Sequence, residues 1–215
     1  MLQSLIIALD WFGICVFAVT GALVASRKQM DIVGFALLGS VTGIGGGTIR
    51  DVLLGIQPVF WVNQPAYLLT CVVVACATFF FAHILQHRHR YLLWFDAVGL
   101  ALFAVTGAGG ALAHGASASI AIAMGVATAT FGGIIRDILG GESPVILSQE
   151  IYITAALVGS AVFVLLVGAG ASQDLAVVLG FGSGFGLRAA ALYWGLTLPR
   201  YKPKTGHRSD RQRRH

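Results

Sequence analysis

Charge is what this chain has least of. Of 215 residues only 11% are charged while 57% are hydrophobic, and the mean hydropathy is +0.82; an ordinary soluble domain carries about 25% charged residues. That balance excludes a soluble globular domain and predicts an all-α integral membrane protein. Cysteine is also scarce. Cys15, Cys71 and Cys76 all fall inside apolar segments, and their spacing fits neither a CxxC redox motif nor a zinc site, so they read as small packing residues. The N-terminus lacks a basic stretch and a cleavage signal, and Asp10 interrupts its apolar run, so the first segment is expected to remain as a helix. No Walker lysine follows Gly43-Ile-Gly45-Gly-Gly47, and no nucleophile stands with a base in a recognisable arrangement, so neither an enzyme nor a cofactor is expected. His83 and His87 stand at i, i+4, but His87 belongs to the basic string that runs on to Arg90, a topology signal rather than a metal site. The formal charge of +5 does not imply nucleic acid, because six of the 14 Lys and Arg lie between Lys202 and Arg214, beyond the last apolar segment.

What is abundant is glycine, 28 residues, and apolar sequence long enough to span a bilayer. Seven stretches of about 20 residues qualify, at 4–26, 32–55, 65–86, 91–113, 118–141, 149–170 and 174–198. Pro58, Pro65 and Pro144 lie at or between their ends, where helices stop. Residues 1–198 are therefore expected to form one membrane domain and 199–215 a flexible basic cytoplasmic tail.

Orientation follows from Lys and Arg in the short loops. Arg27 and Lys28, then Arg88 and Arg90, then the tail from Arg200 to Arg214 fall on one side, whereas 56–64, 114–117 and 171–173 contain neither residue. This predicts an outside N-terminus, a cytoplasmic C-terminus and seven spans, in a bacterial inner or plasma membrane.

The chain repeats itself. Asp10-x-x-Gly13-x-x-x-Phe17-Ala-Val-Thr20-Gly-Ala22 returns 86 residues later as Asp96-x-x-Gly99-x-x-x-Phe103-Ala-Val-Thr106-Gly-Ala108, and Gly46-Gly47-Thr-Ile-Arg50-Asp51 returns as Gly132-Gly133-Ile-Ile-Arg136-Asp137. Three spans per copy force the copies into opposite orientations. The expected plan is an inverted 3+3 repeat, 4–86 and 91–170, plus one extra helix at 174–198.

Chemistry should gather where the repeat places polar groups at membrane depth. Gly45, Gly46 and Gly47 in the second span, and Gly132 and Gly133 in the fifth, are the expected points of a kink or loosened turn, whose freed carbonyls would need water or an ion. Thr20, Thr42, Thr106 and Thr128 sit at equivalent depths and could coordinate a partly dehydrated cation or a zwitterion; alternatively each bonds its own helix backbone. Charged groups at such depth face a partner or a wet cavity. Neighbouring helix residues point about 100° apart, so Arg50 and Arg136 are expected to pair away from Asp51 and Asp137, with Asp10 and Asp96 respectively. These pairs flank the two mouths of a path or simply fasten the fold. Arg188 in the last span is expected to snorkel or to meet Asp137. The Gly180-x-Gly182-x-Gly184-x-Gly186 run reads as a helix-contact face.

The duplicated triplets, GGGTIRD and FGGIIRD at 45–51 and 131–137, and the basic tail resemble the prokaryotic trimeric intracellular cation (TRIC) channels, over about residues 4–198. The resemblance implies a homotrimer with an hourglass pore in each subunit, formed by spans 1, 2, 4 and 5 and lined at the glycine-kinked spans 2 and 5, conducting potassium and, less selectively, sodium, with membrane lipid as its surroundings. Phe131 departs from the pattern by standing where the first copy has Gly45. The same sequence group includes bacterial proteins described as glycine transporters, so a secondary transporter of glycine or a similar zwitterion is the alternative. No TVGYG-like filter is present, and strong potassium selectivity is not expected.

Overall fold

The structure, a computed structural model, describes residues 2–82, 88–145 and 151–197; the basic tail, His83 and His87 lie outside them. The helices are α1 Leu2–Arg27, α2 Ile32–Leu54, α3 Phe60–Asn63, α4 Ala66–Phe81, α5 Arg88–Ala113, α6 Ala118–Leu139, α7 Ile153–Gly168 and α8 Gln173–Trp194. Local chemistry sets several ends. The Asp31 carboxylate accepts from Gly34 N at 2.8 Å and starts α2, and Gly55, at φ 69°, closes it in the left-handed conformation. The expected loop around Arg88 and Arg90 is instead the first turn of α5.

Among the described residues, five segments of 21 to 24 residues, in α1, α2, α5, α6 and α8, are long and apolar enough to cross a membrane. Helices α4 and α7 are apolar but have 16 residues each, about 24 Å at 1.5 Å per residue against a hydrocarbon core of about 30 Å. Each adjoins an undescribed segment, 83–87 or 146–150.

The helices meet in a pattern that the sequence repeat dictates. The Phe17 ring lies against Gly99 and the Phe103 ring against Gly13, where a Cβ on Gly13 would come 2.9 Å from the Phe103 Cε1. Between them the two rings meet edge to face, 4.9 Å apart at 84°. Gly46 packs on the Thr128 carbonyl and Gly132 on the Thr42 carbonyl, where a Cβ on Gly132 would come within 2.5 Å. Residue i of one copy thus touches j of the other, and j's counterpart touches i's.

The repeat also shifts by one residue. Asp51 Oδ2 accepts from Phe60 N, whereas Asp137 Oδ2 accepts from Val145 N; Gly39 packs on Ala75, whereas Gly125 packs on Ser160. The offset is 86 through Pro58 and Pro144 and 85 after them. A single deletion in the connection following α6 accounts for this.

The loosened turns expected at the glycines are not found. Helix α2 runs unbroken from Ile32 to Leu54 and α6 from Ala118 to Leu139. The missing side chains are used for close approach of two backbones, a stronger demand here than helix breaking.

Candidate functional site

Arg136 anchors a buried polar cluster. Its side chain is fully buried. Nη1 donates to Asp96 Oδ1 at 2.6 Å and to Thr20 Oγ1 at 3.0 Å, and Nε donates to Asp137 Oδ1 at 2.9 Å. One guanidinium thereby joins α1, α5 and α6. Asp137 Oδ2 accepts the Val145 amide at 3.0 Å, which ties the chain after α6 back to its helix. Gly133 makes room for the cluster: a Cβ there would lie 2.9 Å from Tyr152 Oη, 3.5 Å from Arg136 Nη2 and 3.6 Å from Asp96 Oδ1. Arg188, also fully buried, places its guanidinium 5.1 Å from the Tyr152 ring centroid, a cation–π contact. It does not snorkel.

The counterpart around Arg50 is built differently. Arg50 Nη2 lies 2.7 Å from Asp51 Oδ1, and Nε donates to the same oxygen at 2.8 Å. Asp51 Oδ2 accepts from Phe60 N at 2.9 Å, which anchors the short helix α3. Trp61 Nε1 holds that helix further by donating to Thr48 Oγ1 at 2.9 Å. The guanidinium lies 5.9 Å from the Phe60 ring centroid and retains 12% exposure, against 0% for Arg136.

The expected pairing therefore holds in one half only. Asp96 and Arg136 form an ion pair, whereas Asp10 feels the Arg50 charge but Arg50 makes its ion pair with Asp51. The expectation that each Arg would avoid its neighbouring Asp is wrong in both copies. The 100° argument applies to the Cβ directions; the Arg stem is long enough to bring Nε to the neighbouring carboxylate, and each Asp is aimed by the backbone amide it accepts from the returning chain.

All four threonines are buried. Thr42 donates to Leu38 O at 2.5 Å, Thr128 to Met124 O at 2.7 Å and Thr20 to Phe17 O at 2.8 Å, so these hydroxyl protons serve their own helices. Their lone pairs remain acceptors, as Thr20 shows toward Arg136. Gly45, Gly46, Gly47, Gly132 and Gly133 are likewise buried along the α2–α6 contact and beside it.

Sequence reasoning missed Tyr67 and Tyr152. Tyr67 stacks on Trp11 at 4.1 Å and lies within electrostatic reach of Asp10 and Arg50, as Tyr152 lies beside Asp96 and Arg136. They are 85 residues apart, so a search at a fixed offset of 86 passes over them. Allowing one deletion after Pro144 would have found both.

Apolar spanning helices tied together by buried Arg–Asp groups define an all-α integral membrane protein, and comparison with known proteins places it further. The sequence model of the family described as Glycine transporter matches residues 7–83 and again 93–168, two segments starting 86 residues apart. A solved structure of a TRIC trimeric intracellular cation channel orthologue from Rhodobacter sphaeroides is 68% identical, with TM-score 0.89 over 90% of this chain and all of that one. Among curated proteins, a UPF0126 membrane protein of Vibrio cholerae is 42% identical over 92% of this chain and 83% of its own length. The UPF0126 inner membrane protein YadS of Escherichia coli K12 is 40% identical over 90% of this chain and 94% of its own. The chain belongs to the TRIC channel family, within the sequence group that the Glycine transporter model describes.

Proposed function

We propose that this chain is a potassium-permeable channel for monovalent cations, with a pore inside each subunit of a homotrimer. The carrying observation is likeness at 68% identity over nearly the whole fold to a protein described as a TRIC cation channel orthologue. The exchanged contacts Gly46 with Thr128 and Gly132 with Thr42 support an inverted 3+3 repeat followed by α8, with α4 and α7 as the third span of each copy. The distribution of Lys and Arg supports an outside N-terminus and a cytoplasmic basic tail in a bacterial inner membrane.

In this reading the path runs between α2 and α6, past Thr20, Thr42, Thr106, Thr128 and the carbonyls beside Gly45–Gly47 and Gly132–Gly133. Asp10, Arg50 and Asp51 flank the outer mouth, and Asp96, Arg136, Asp137 and Arg188 the inner one. The geometry supports a closed inner end, where Arg136 crosses between α1, α5 and α6, and a looser outer end, where Arg50 is partly exposed. Conduction then requires Arg136 to release Asp96 or Thr20 and the glycine contact to widen. Hydroxyl and carbonyl oxygens offer weak sites from which an ion departs as readily as it enters.

The Glycine transporter description of the family model keeps a zwitterion carrier as the contrasting reading. Purified protein in vesicles separates them. The channel reading predicts rapid, non-saturating potassium efflux and no concentrative glycine uptake; saturable glycine uptake without potassium flux overturns it.

A further inference from the structure

The first turns of α5 and the last turns of α8 enclose a groove away from the proposed path. One cavity of about 470 Å³ lies by Arg90, Trp94 and Phe95. A second, of about 320 Å³, runs from Trp94 over Gly186 and Ala190, and a third, of about 270 Å³, joins Arg90 and Trp94 to Tyr193. Trp94 borders all three, so they lie side by side around one indole, and the first two are in the size range of ligand sites. The groove's floor is smooth, because a Cβ on Gly186 would meet nothing within 4 Å. Its rim is aromatic, with Tyr193 75% and Trp194 68% exposed. Arg90 is the one charged side chain among the described residues that line it.

We propose that this groove binds an anionic phospholipid, with the phosphate on Arg90 and an acyl chain along Gly186 and Ala190. Exposed tryptophan and tyrosine beside an arginine at a helix end match the headgroup level of a bilayer, and a positive charge that makes no ion pair among the described residues complements a phosphodiester. The small residues give the chain a flat bed, and the aromatic rings cover its sides. The basic tail that follows α8 in sequence is a poorer occupant. It runs from Arg200 to Arg214 with one acidic residue, Asp210, and shares the sign of Arg90. This inference rests on the membrane location and not on conduction, so failure of the channel reading leaves it standing.

Tryptophan quenching by brominated lipids tests it. With Trp11 and Trp61 replaced by phenylalanine, the remaining reporters, Trp94 and Trp194, both border the groove. In mixed vesicles, dibromo-phosphatidylglycerol is expected to quench at about five-fold lower mole fraction than dibromo-phosphatidylcholine, the factor that one basic residue near an anionic surface supplies. Arg90→Gln should make the two lipids equal, and Arg90→Lys should keep the preference. Should the double phenylalanine variant not fold, native mass spectrometry of the unaltered protein reads the same preference as retained adducts. Equal quenching in the parent, a preference that survives Arg90→Gln, or no quenching by either lipid because the tail or a second copy fills the groove would each overturn the proposal.

Discussion

Replacing each arginine of the repeat by methionine is a controlled perturbation, since both changes remove one guanidinium of the same length from equivalent positions. Arg136→Met strands two buried carboxylates, Asp96 at 1% and Asp137 at 3% exposure, and leaves Thr20 without its donor. Removing one partner of a buried ion pair costs about 3–5 kcal/mol. Arg50→Met breaks the ion pair of Asp51 alone and takes from Asp10 only a charge it does not pair with; Asp51, like Asp137, keeps its backbone donor, and the lost partner was 12% exposed rather than fully buried. Loss of a charged hydrogen bond there costs about 1.5–3 kcal/mol. Reversible denaturant unfolding in mixed micelles, followed by tryptophan fluorescence, should therefore place Arg136→Met below Arg50→Met by about 2 kcal/mol, the separation of the midpoints of the two ranges. Adding Asp96→Asn to Arg136→Met should recover part of the loss, because one uncompensated charge is gone, whereas adding Asp10→Asn to Arg50→Met should recover less. Equal destabilisation by the two methionines, or no recovery with Asp96→Asn, would refute the reasoning that the inner cluster is a closed ion-pair network and the outer one is not.

Gly46→Ala and Gly132→Ala place a methyl on the Thr128 and Thr42 carbonyls, backbone atoms that cannot swing aside. Each should destabilise by about 1–3 kcal/mol in the same unfolding assay. Gly182→Ala, where a Cβ meets nothing within 4 Å, should be neutral or stabilising by up to about 1 kcal/mol from helix propensity. The Arg27–Glu142 bridge, at 2.9 Å and with side chains 29% and 21% exposed, is a solvated contact. Glu142→Gln should shift stability by less than about 1 kcal/mol, and the difference from the parent should shrink further in high salt.

The 86-residue repeat revealed more of the site than of the fold's details. It put Asp96 and Arg136 together before any coordinates, because two charges at one membrane depth have few other partners. It carried Phe17, Gly99, Phe103 and Gly13 inside the quoted motif, yet pattern alone could not say that each ring fills the other copy's glycine. Glycine is ambiguous in sequence: the same absence of Cβ loosens a helix or lets a neighbour approach, and only the position of the Thr42 and Thr128 carbonyls decides. The Arg–Asp neighbours were misjudged because helix geometry fixes the Cβ direction and not the course of a long flexible stem. Helix α3, four residues in the connection 56–64, has no periodicity to detect. It exists because Asp51 accepts from its first amide and Trp61 bonds Thr48.

Recording from the purified full-length protein in a planar bilayer, under a potassium gradient with glycine absent, tests the central claim most directly. The account predicts discrete unitary currents whose reversal follows the potassium gradient, with Arg136→Met raising open probability because the guanidinium no longer ties α6 to α1 and α5. A silent bilayer in which the same preparation accumulates glycine in vesicles would contradict it.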